Sequence, residues 1–236
     1  MSASPSRTPA EPVLAFDRVS AGAPTPEQTG LREAAFRLES GGLLLVRPEP
    51  GREALVLPDL AEGLLEPGAG EVRFLGRDWR RMSPDDQERL RGRIGRVFHH
   101  PGFVSNLTVV NNVILAQLHH TRRPPADILA EAETLARAAG LNGLPEGRPA
   151  WCPRRDLRRA EWVRAFLGRP ALALLEWPEE GVSPEHLPLL AGLIRQALAA
   201  GTAVLAVTAA PALWSAPDWP AGTQRFSMKH EGLIPA

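Results

Sequence analysis

The fold is decided by residues 163–185, VRAFLGRPALALLEWPEEGVSPE. The glycine and proline of LGRP predict the end of a helix, and the unbroken apolar run over residues 171–175 is typical of a strand buried on both faces. A helix predicted over residues 184–200 and a second apolar strand over residues 202–207 follow. Because a helix between two apolar strands is typical of a parallel strand pair, the sequence predicts an α/β domain with a mainly parallel core sheet.

The preceding part of the chain adds shorter strands and turns. Apolar and alternating segments predict strands over residues 13–19, 71–75 and 94–98. We expect residues 36–38 and 43–46 to form a hairpin, since the Gly41-Gly42 pair between them favours a tight turn. Residues 224–235 predict a second hairpin at the end of the chain.

Helix boundaries are indicated by capping residues. Ser83 followed by Pro84 predicts a helix that runs to about Arg91, because serine caps a first turn and proline is tolerated there. We expect Asp156 to cap a later helix and Pro58 to interrupt a weakly helical segment. Helices are also predicted over residues 107–117, 126–139 and 156–167, and a loop over residues 21–30.

The composition excludes several classes of function. Lys plus Arg total 27 and Asp plus Glu total 27, so the formal net charge is zero. A dedicated nucleic-acid binder needs a basic face, and we expect no nucleic-acid partner. Cys152 is the only cysteine, which excludes an internal disulfide, and Lys229 is the only lysine. We expect no metal site, because adjacent histidines such as the pairs at 99–100 and 119–120 rarely reach one ion.

The predicted organisation is a short tail and one domain. We expect residues 1–12 to be disordered, because they are small, polar and rich in proline and lack the apolar core of a signal peptide. Residues 13–236 are expected to form a single domain. The longest apolar runs are far shorter than a membrane span. These features predict a cytoplasmic protein, peripheral to the inner membrane through a partner.

Five segments, in this order, resemble the nucleotide-binding subunit of ATP-binding cassette (ABC) transporters over roughly residues 13–235. They are LAFDRVS with LREAAFRLESGGLLLV, AEGLLEPGAGEVRFLGRD, LRGRIGRVFHHPGFVSNLTVVNNVIL, VRAFLGRPALALLEWPEEGVSPE and AVLAVTAAPAL. The resemblance implies a P-loop NTPase-like ABC nucleotide-binding domain. Its parts are the parallel core sheet, an antiparallel β lobe and a helical lobe over roughly residues 100–168.

The phosphate loop implied by the resemblance lacks its usual chemistry. In the family it reads GxxxxGK[ST], where backbone amides and the lysine bind phosphates and the hydroxyl holds magnesium. The corresponding residues here are Arg47, Gly51, Arg52, Glu53 and Ala54. Pro48 and Pro50 have no N–H to donate, no lysine is near, and no serine or threonine occurs between Gly41 and Met82. We expect no phosphate site, with a contact from Arg52 to phosphate as the open alternative.

The acids that perform hydrolysis in the family also change. The resemblance places the magnesium-binding acid at Glu176 and the water-polarising acid at Trp177, whose indole is not a base. Glu179 and Glu180 lie in the next loop, and we expect all three acids to be solvated. The Q-loop glutamine and the switch histidine of the family fall at His99 and Ala209.

The signature motif, which contacts the γ-phosphate across a dimer in the family, has no glycine here. Its position falls at Cys152, Pro153, Arg154, Arg155 and Asp156. The two arginines either meet a phosphate electrostatically or form a basic helix end, and we favour the second. The thiol has no catalytic His–Asp pattern beside it, so we expect a packed or idle cysteine.

The resemblance implies that a segment that docks on a permease is retained. In the family, the residues after the Q-loop receive a short helix of the membrane permease. The corresponding residues here are Phe103, Val104, Ser105, Asn106 and Leu107. The apolar members offer contacts to an amphipathic helix. Packing in the core is the alternative, favoured for Leu107 and left open for Phe103 and Val104.

These departures together predict a noncatalytic subunit, a pseudo-ATPase, that docks on a membrane permease and pairs with an ABC ATPase partner or a second copy. We expect no cofactor, and Mg-ATP only where residual binding exists. Two alternatives stay open: a divergent active ATPase that uses Arg52 and Glu176, and a scaffold outside transport. Residues 102–115 and the histidines after them resemble subunits of bacterial MCE-type lipid transporters, which suggests a lipid cargo.

Overall fold

The structure, a computed structural model, describes residues 11–25, 28–51 and 54–236. Most of the tail expected over residues 1–12 lies outside these ranges, as do Arg52 and Glu53. Within the described ranges, no helix combines the length and the apolar character that a membrane crossing requires.

The strands of the described residues form a large and a small sheet. The large sheet contains β1 Leu14–Ala21, β3 Leu31–Leu38, β4 Leu43–Arg47, β6 Ala69–Phe74, β7 Arg77–Asp78, β8 Ile94–Val97, β9 Leu172–Glu176, β10 Ala203–Val207, β11 Gln224–Lys229 and β12 Gly232–Pro235. The small sheet pairs β2 Gln28–Thr29 with β5 Ala54–Leu55. The order in the large sheet is β7-β6-β1-β3-β12-β11-β4-β10-β9-β8.

Helices fill the middle of the described chain and the connection between β9 and β10. They are α1 Leu57–Ala61, α2 Pro84–Arg91, α3 Val109–His120, α4 Pro125–Ala138, α5 Arg154–Phe166, α6 Leu187–Ala199 and α7 Pro211–Trp214. Ser83 caps α2 as predicted, accepting a bond from the Asp86 N–H at 3.2 Å. Thr108 caps α3 in the same way, so that helix begins at Val109.

The parallel core consists of β4, β10, β9 and β8, with α6 connecting β9 to β10. Alternate side chains of these strands enter two apolar cores. Leu175 packs with α3 to α6, and Leu174 packs with the antiparallel strands β1, β3 and β6. Burial on both faces explains the unbroken apolar runs. The predicted mainly parallel core and its buried strands are confirmed.

The predicted hairpin over residues 36–46 is wrong. Strand β3 pairs with β1 and β12, whereas β4 pairs in parallel with β10 and β11. The turn between β3 and β4 instead packs on the end of α6, where the Gly41 N–H donates to the Gly201 carbonyl at 3.1 Å. The terminal hairpin is confirmed, because β11 and β12 pair in antiparallel.

Three local predictions are also corrected. Pro58 lies in the first turn of α1, where its missing N–H costs nothing, so it does not interrupt a helix. Helix α5 begins at Arg154 after Pro153, so Asp156 is inside the first turn and is not the cap. The loop predicted over residues 21–30 contains the end of β1 and the short strand β2.

Candidate functional site

The candidate site lies at the carboxyl ends of the parallel strands. The loops that follow β4, β8, β9 and β10 meet there, which is where open α/β sheets bind their ligands. Glu176 is the last residue of β9, and Trp177 follows it. His99 follows β8, and Ala209 follows β10. The structure therefore brings these predicted positions to one edge of the sheet.

Arg96 on β8 is the centre of a buried cluster of ion pairs at this edge. Its Nε donates to Glu176 Oε1 at 2.7 Å, its Nη1 to Glu62 Oε2 at 2.8 Å, and its Nη2 to Asp59 Oδ1 at 2.7 Å. The Arg96 side chain is only 7% exposed. Its guanidinium also lies 4.5 Å from the ring centre of Phe98. The three carboxylates are thus held around an internal cation.

The electrostatics of the cluster follow from three acids sharing one cation. Burial raises the pKa of Glu176, Arg96 lowers it in part, and the neighbouring Asp59 and Glu62 raise it further. Burial alone lowers the pKa of Arg96, but Glu176 and Glu62 outweigh burial and raise it. The guanidinium is therefore permanently charged and a fixed part of the site.

Two of the three acids expected to be solvated are buried or bonded. Glu176 is buried beside Arg96. Glu179 Oε1 accepts bonds from Thr208 Oγ1 at 2.6 Å and from the Ala209 and Ala210 N–H groups at 3.2 Å. Only Glu180 has a mainly exposed side chain. The expectation is wrong for the first two because the strand order brings donors from distant segments onto them.

Aromatic rings lie at the position that corresponds to the water-polarising acid of the family. The Trp177 ring is tilted against the His99 ring, with the ring centres 6.0 Å apart, and His99 stacks on His100 at 4.5 Å. Trp177 has a positive φ of 47°, and its N–H donates to the Val207 carbonyl at 2.9 Å. The end of β9 is therefore fixed to the end of β10, and it presents an indole.

Helix α5 holds the loop after β8 through charged side chains. Arg158 donates to the carbonyls of Phe98 at 2.7 Å and His99 at 3.0 Å. The fully buried Glu161 accepts from the Gly102 N–H at 3.1 Å and from Arg158 at 3.0 Å. Burial raises the pKa of Glu161, and the two arginines Arg158 and Arg164 oppose that shift. With the bond from Arg164 to the Gly102 carbonyl at 2.7 Å, four hydrogen bonds join α5 to this loop.

Sequence reasoning missed Arg96 and the charged residues of α5. A signal was available for Arg96, since it is the only charged side chain within the apolar strand predicted over residues 94–98. A signal for α5 was also present, because Arg158, Glu161 and Arg164 recur at three-residue spacing on one face of a helix. Neither pattern reveals which distant groups the charges meet.

Known proteins resemble the chain in sequence and in fold. No protein-family model matches the sequence. Methionine import ATP-binding protein MetN of Mesorhizobium japonicum is 32% identical over 171 residues, 72% of this chain and 46% of that protein. Octopine permease ATP-binding protein P of Rhizobium meliloti is 30% identical over 152 residues, 60% of this chain and 58% of that protein. The chain spans about half the length of the curated relatives it matches.

Solved structures agree in fold. The dimeric ATP-binding cassette MJ0796, in a post-hydrolysis state bound to ADP and Pi, has a TM-score of 0.81 at 17% identity and covers 93% of this chain and 96% of that one. An ATP-binding subunit of an ABC transporter has a TM-score of 0.78 at 19% identity, over 94% and 88%. The chain has the ABC cassette fold, and its homologues are ABC ATP-binding subunits. The predicted resemblance and fold class are confirmed.

The phosphate-loop region of the cassette lies between β4 and α1. The exposed Arg47 stacks on the Trp214 ring, with its guanidinium 4.1 Å from the ring centre. Gly51 has a φ of 78°, and Arg52 and Glu53 lie outside the described residues. Ala54 belongs to β5, and the Val56 N–H donates to the Thr29 carbonyl at 3.2 Å. The two-residue strand β5 therefore lies between the loop and α1, which begins at Leu57.

The signature position of the cassette is exposed and basic. Pro153 precedes α5, and the side chains of Arg154 and Arg155 are exposed in its first turn. Asp156 accepts a bond from Arg159 at 2.5 Å. The Cys152 thiol donates to the Arg148 carbonyl at 3.4 Å, and burial, with Asp156, raises its pKa. A thiol in this state is protonated at neutral pH.

The docking segment of the cassette has a fixed backbone and one exposed apolar side chain. Asn112 accepts from the Val104 N–H at 2.6 Å and donates to the Val104 carbonyl at 3.0 Å. Phe103 packs against the helical core, and the Arg164 guanidinium lies 5.1 Å from its ring centre. Val104 is 45% exposed, Ser105 and Asn106 are exposed, and Leu107 is half-buried.

Proposed function

We propose that this cassette is a noncatalytic subunit of an ABC transporter, which docks on a membrane permease and pairs with a partner cassette or a second copy. The observation that carries the proposal is the ion pair between Arg96 and Glu176 at 2.7 Å. In the family this acid position serves magnesium. Here it neutralises an internal guanidinium, so the site already contains a cation that cannot leave.

The residues at the carboxyl ends of the parallel strands do not fit a magnesium site. Mg²⁺ needs oxygen ligands in octahedral geometry, usually from one or two carboxylates, a hydroxyl and phosphates. No hydroxyl side chain occurs between Gly41 and Met82. The carboxylates of Asp59, Glu62 and Glu176 surround Arg96 instead. No step of a reaction through magnesium is therefore assigned to this chain.

Hydrolysis of ATP also needs a group that positions the attacking water. Trp177 has no acceptor for that proton, and Ala209 has no polar side-chain atom. Glu179, the nearest alternative acid in the sequence, is held by three bonds that its Oε1 accepts from the loop after β10, while its buried Oε2 has no hydrogen-bond partner among the described residues. These features support the loss of the group that positions the attacking water, in addition to the loss of the magnesium ligands.

Docking is the function that remains supported. The backbone of the docking segment, residues 103–107, is held by Asn112, and the preceding loop is held by α5. A surface that is already ordered binds a partner without an ordering cost. We infer that partner binding does not require nucleotide, since the bonds that shape this surface come from α3 and α5.

Calorimetry of Mg-ATP binding, together with a phosphate-release assay, tests the proposal. We expect no heat up to millimolar nucleotide and no turnover by the purified chain. The Arg52→Ala variant is titrated in parallel, because binding weakened by that change without turnover would identify a nucleotide-sensing subunit. Turnover that Glu176→Gln abolishes would overturn the proposal and favour the divergent active ATPase.

The cargo is a separate hypothesis. Similar proteins are named for the import of methionine and phosphonates and for an octopine permease, and none of these names refers to lipid. Identification of the permease partner therefore tests the lipid cargo that residues 102–115 suggest. Co-purification with an MCE-type permease would support it, and co-purification with an amino-acid or phosphonate permease would contradict it.

A further inference from the structure

A cavity of about 760 Å³ lies at the amino ends of β9 and β10. It is lined by α4, by the end of α5 with the turn that leads into β9, and by the end of α6 with the turn that leads into β10. The candidate site lies at the opposite, carboxyl ends of the same strands. None of the described nucleotide positions lines the cavity, and neither does the docking segment. Its volume is within the range of sites that bind small organic molecules.

One wall of the cavity is apolar. It is formed by Leu135 on α4, Phe166 at the end of α5, and Leu193 and Ala197 on α6. Phe166 and Leu193 are buried, whereas Leu135 and Ala197 are only partly covered by the rest of the chain. Contact with the hydrocarbon part of a ligand would remove more of this apolar surface from water, which is favourable.

The charged side chains that line the cavity are two arginines and one acid. Arg123 Nη2 donates to Glu131 Oε2 at 2.6 Å, and Glu131 Oε1 accepts from the Gly168 N–H at 3.1 Å. Both oxygens of Glu131 are thus already bonded. The side chain of Arg169 is exposed and belongs to no ion pair within the described ranges. The lining therefore has one positive charge in excess, and Arg169 is its unpaired cation.

The backbone at Arg169 is unusual for a residue with a side chain. Its φ is 53°, and its N–H donates to the Phe166 carbonyl at 3.3 Å. Residues other than glycine rarely adopt this left-handed conformation, and those that do are frequent at ligand-binding sites. Gln196, on the α6 side of the cavity, is exposed, and its side-chain amide makes no hydrogen bond to the part of the chain that the structure describes. A guanidinium and an amide are therefore available as donors to a ligand.

We propose that this cavity binds a small organic monocarboxylate with an apolar body. The Arg169 guanidinium binds the carboxylate, the Gln196 amide is a second donor, and the apolar wall covers the body of the ligand. A single carboxylate cancels the one excess positive charge of the lining. A phosphate monoester carries a charge of about −1.5 to −2 at pH 7 and would leave an excess of negative charge. The inference is independent of the proposed function, because it concerns the opposite edge of the parallel sheet.

Titration of the full chain with octanoate, followed by nuclear magnetic resonance, tests the site. We expect saturable shifts of the Gly168 backbone amide and of the Gln196 side-chain amide. Arg169→Asn should weaken octanoate binding about tenfold or more, because a bond between two charged groups is lost, and asparagine tolerates the left-handed backbone. Arg122→Asn, at an exposed position that does not line the cavity, is the matched control and should bind octanoate like the parent chain.

Three further ligands separate the contribution of charge from that of apolar contact. Octanol lacks the charge and acetate lacks the apolar body, so each should bind at least about tenfold more weakly than octanoate. Tighter binding of octyl phosphate than of octanoate would overturn the assignment to a carboxylate. Equal octanoate affinity of the Arg169 and Arg122 variants, or the absence of shifts at Gly168 and Gln196, would overturn the site.

Discussion

At the scale of single residues, Arg96 determines the character of the candidate site. A buried cation among three carboxylates is stabilising only while all partners are present, because removal of one leaves uncompensated buried charge. The cluster joins β8 to α1 and to the end of β9. Its contribution therefore shows most clearly when the central charge is removed.

Arg96→Met should lower the free energy of unfolding by about 3–5 kcal/mol at pH 7, because three carboxylates remain in a buried site without their cation. The deficit should shrink as the pH falls, since protonation removes the repulsion, and it should shrink on addition of Mn²⁺. Denaturant unfolding at pH 5 and at pH 7, and at pH 7 with added Mn²⁺, measures both effects. Arg93→Met, at an exposed position, is the control and should change stability by less than about 0.5 kcal/mol.

The free energy of unfolding of the Glu176→Gln variant should increase relative to that of the parent chain as the pH rises. Burial raises the pKa of Glu176 in the folded state, so its contribution to stability is present at low pH and is lost as the pH rises through that pKa. Glutamine does not titrate and avoids this loss. Unfolding free energies of parent and variant between pH 4 and pH 7 test the sign. If the parent instead gains stability relative to the variant as the pH rises, Arg96 holds the pKa of Glu176 low.

At the scale of elements, α5 fixes the loop after β8. Arg158 and Arg164 donate to loop carbonyls, and Glu161 accepts from a loop N–H, so the helix and loop act as one unit. The charged contacts of α5 are the physical basis for expecting a docking surface that does not depend on nucleotide.

Arg158→Met should free the loop and destabilise the chain by about 3 kcal/mol, because the buried Glu161 loses a cation and two backbone carbonyls lose their donor. Hydrogen exchange of the Gly102 amide, which donates to Glu161, should accelerate. Arg195→Met, a half-exposed cation 3.8 Å from Asp218, is the control. Unchanged exchange at Gly102 in the Arg158 variant would mean that α5 does not hold the loop.

At the scale of the whole molecule, the proposed absence of nucleotide binding has a thermodynamic consequence. A ligand that binds only the folded chain stabilises it by about 2.7 kcal/mol at a concentration one hundred times its Kd. We expect the thermal unfolding midpoint to be the same with and without millimolar Mg-ATP. Mg²⁺ alone and ATP with a chelator are the matched controls. A rise seen only with Mg-ATP would contradict the proposed lack of a site.

Sequence patterns predicted much of the architecture but not the pairing of its parts. The apolar runs of β9 and β10 and the Ser83 cap are local signals, and the structure confirms them. The hairpin expected around Gly41 failed because β4 is buried between β10 and β11, and a turn signal carries no information on partners far along the chain.

Two properties of the candidate site have different origins. The missing lysine and hydroxyls can be read from composition alone, because a residue type that is absent from a segment cannot act there in any fold. The groups that the Arg96 guanidinium meets could not be foreseen. Arg96 meets Glu62, Asp59 and Glu176 across 34, 37 and 80 residues of chain. Only the strand order and the placement of α1 beside β8 bring those groups within hydrogen-bond distance, since buried ion pairs depend on three-dimensional proximity and not on spacing along the sequence.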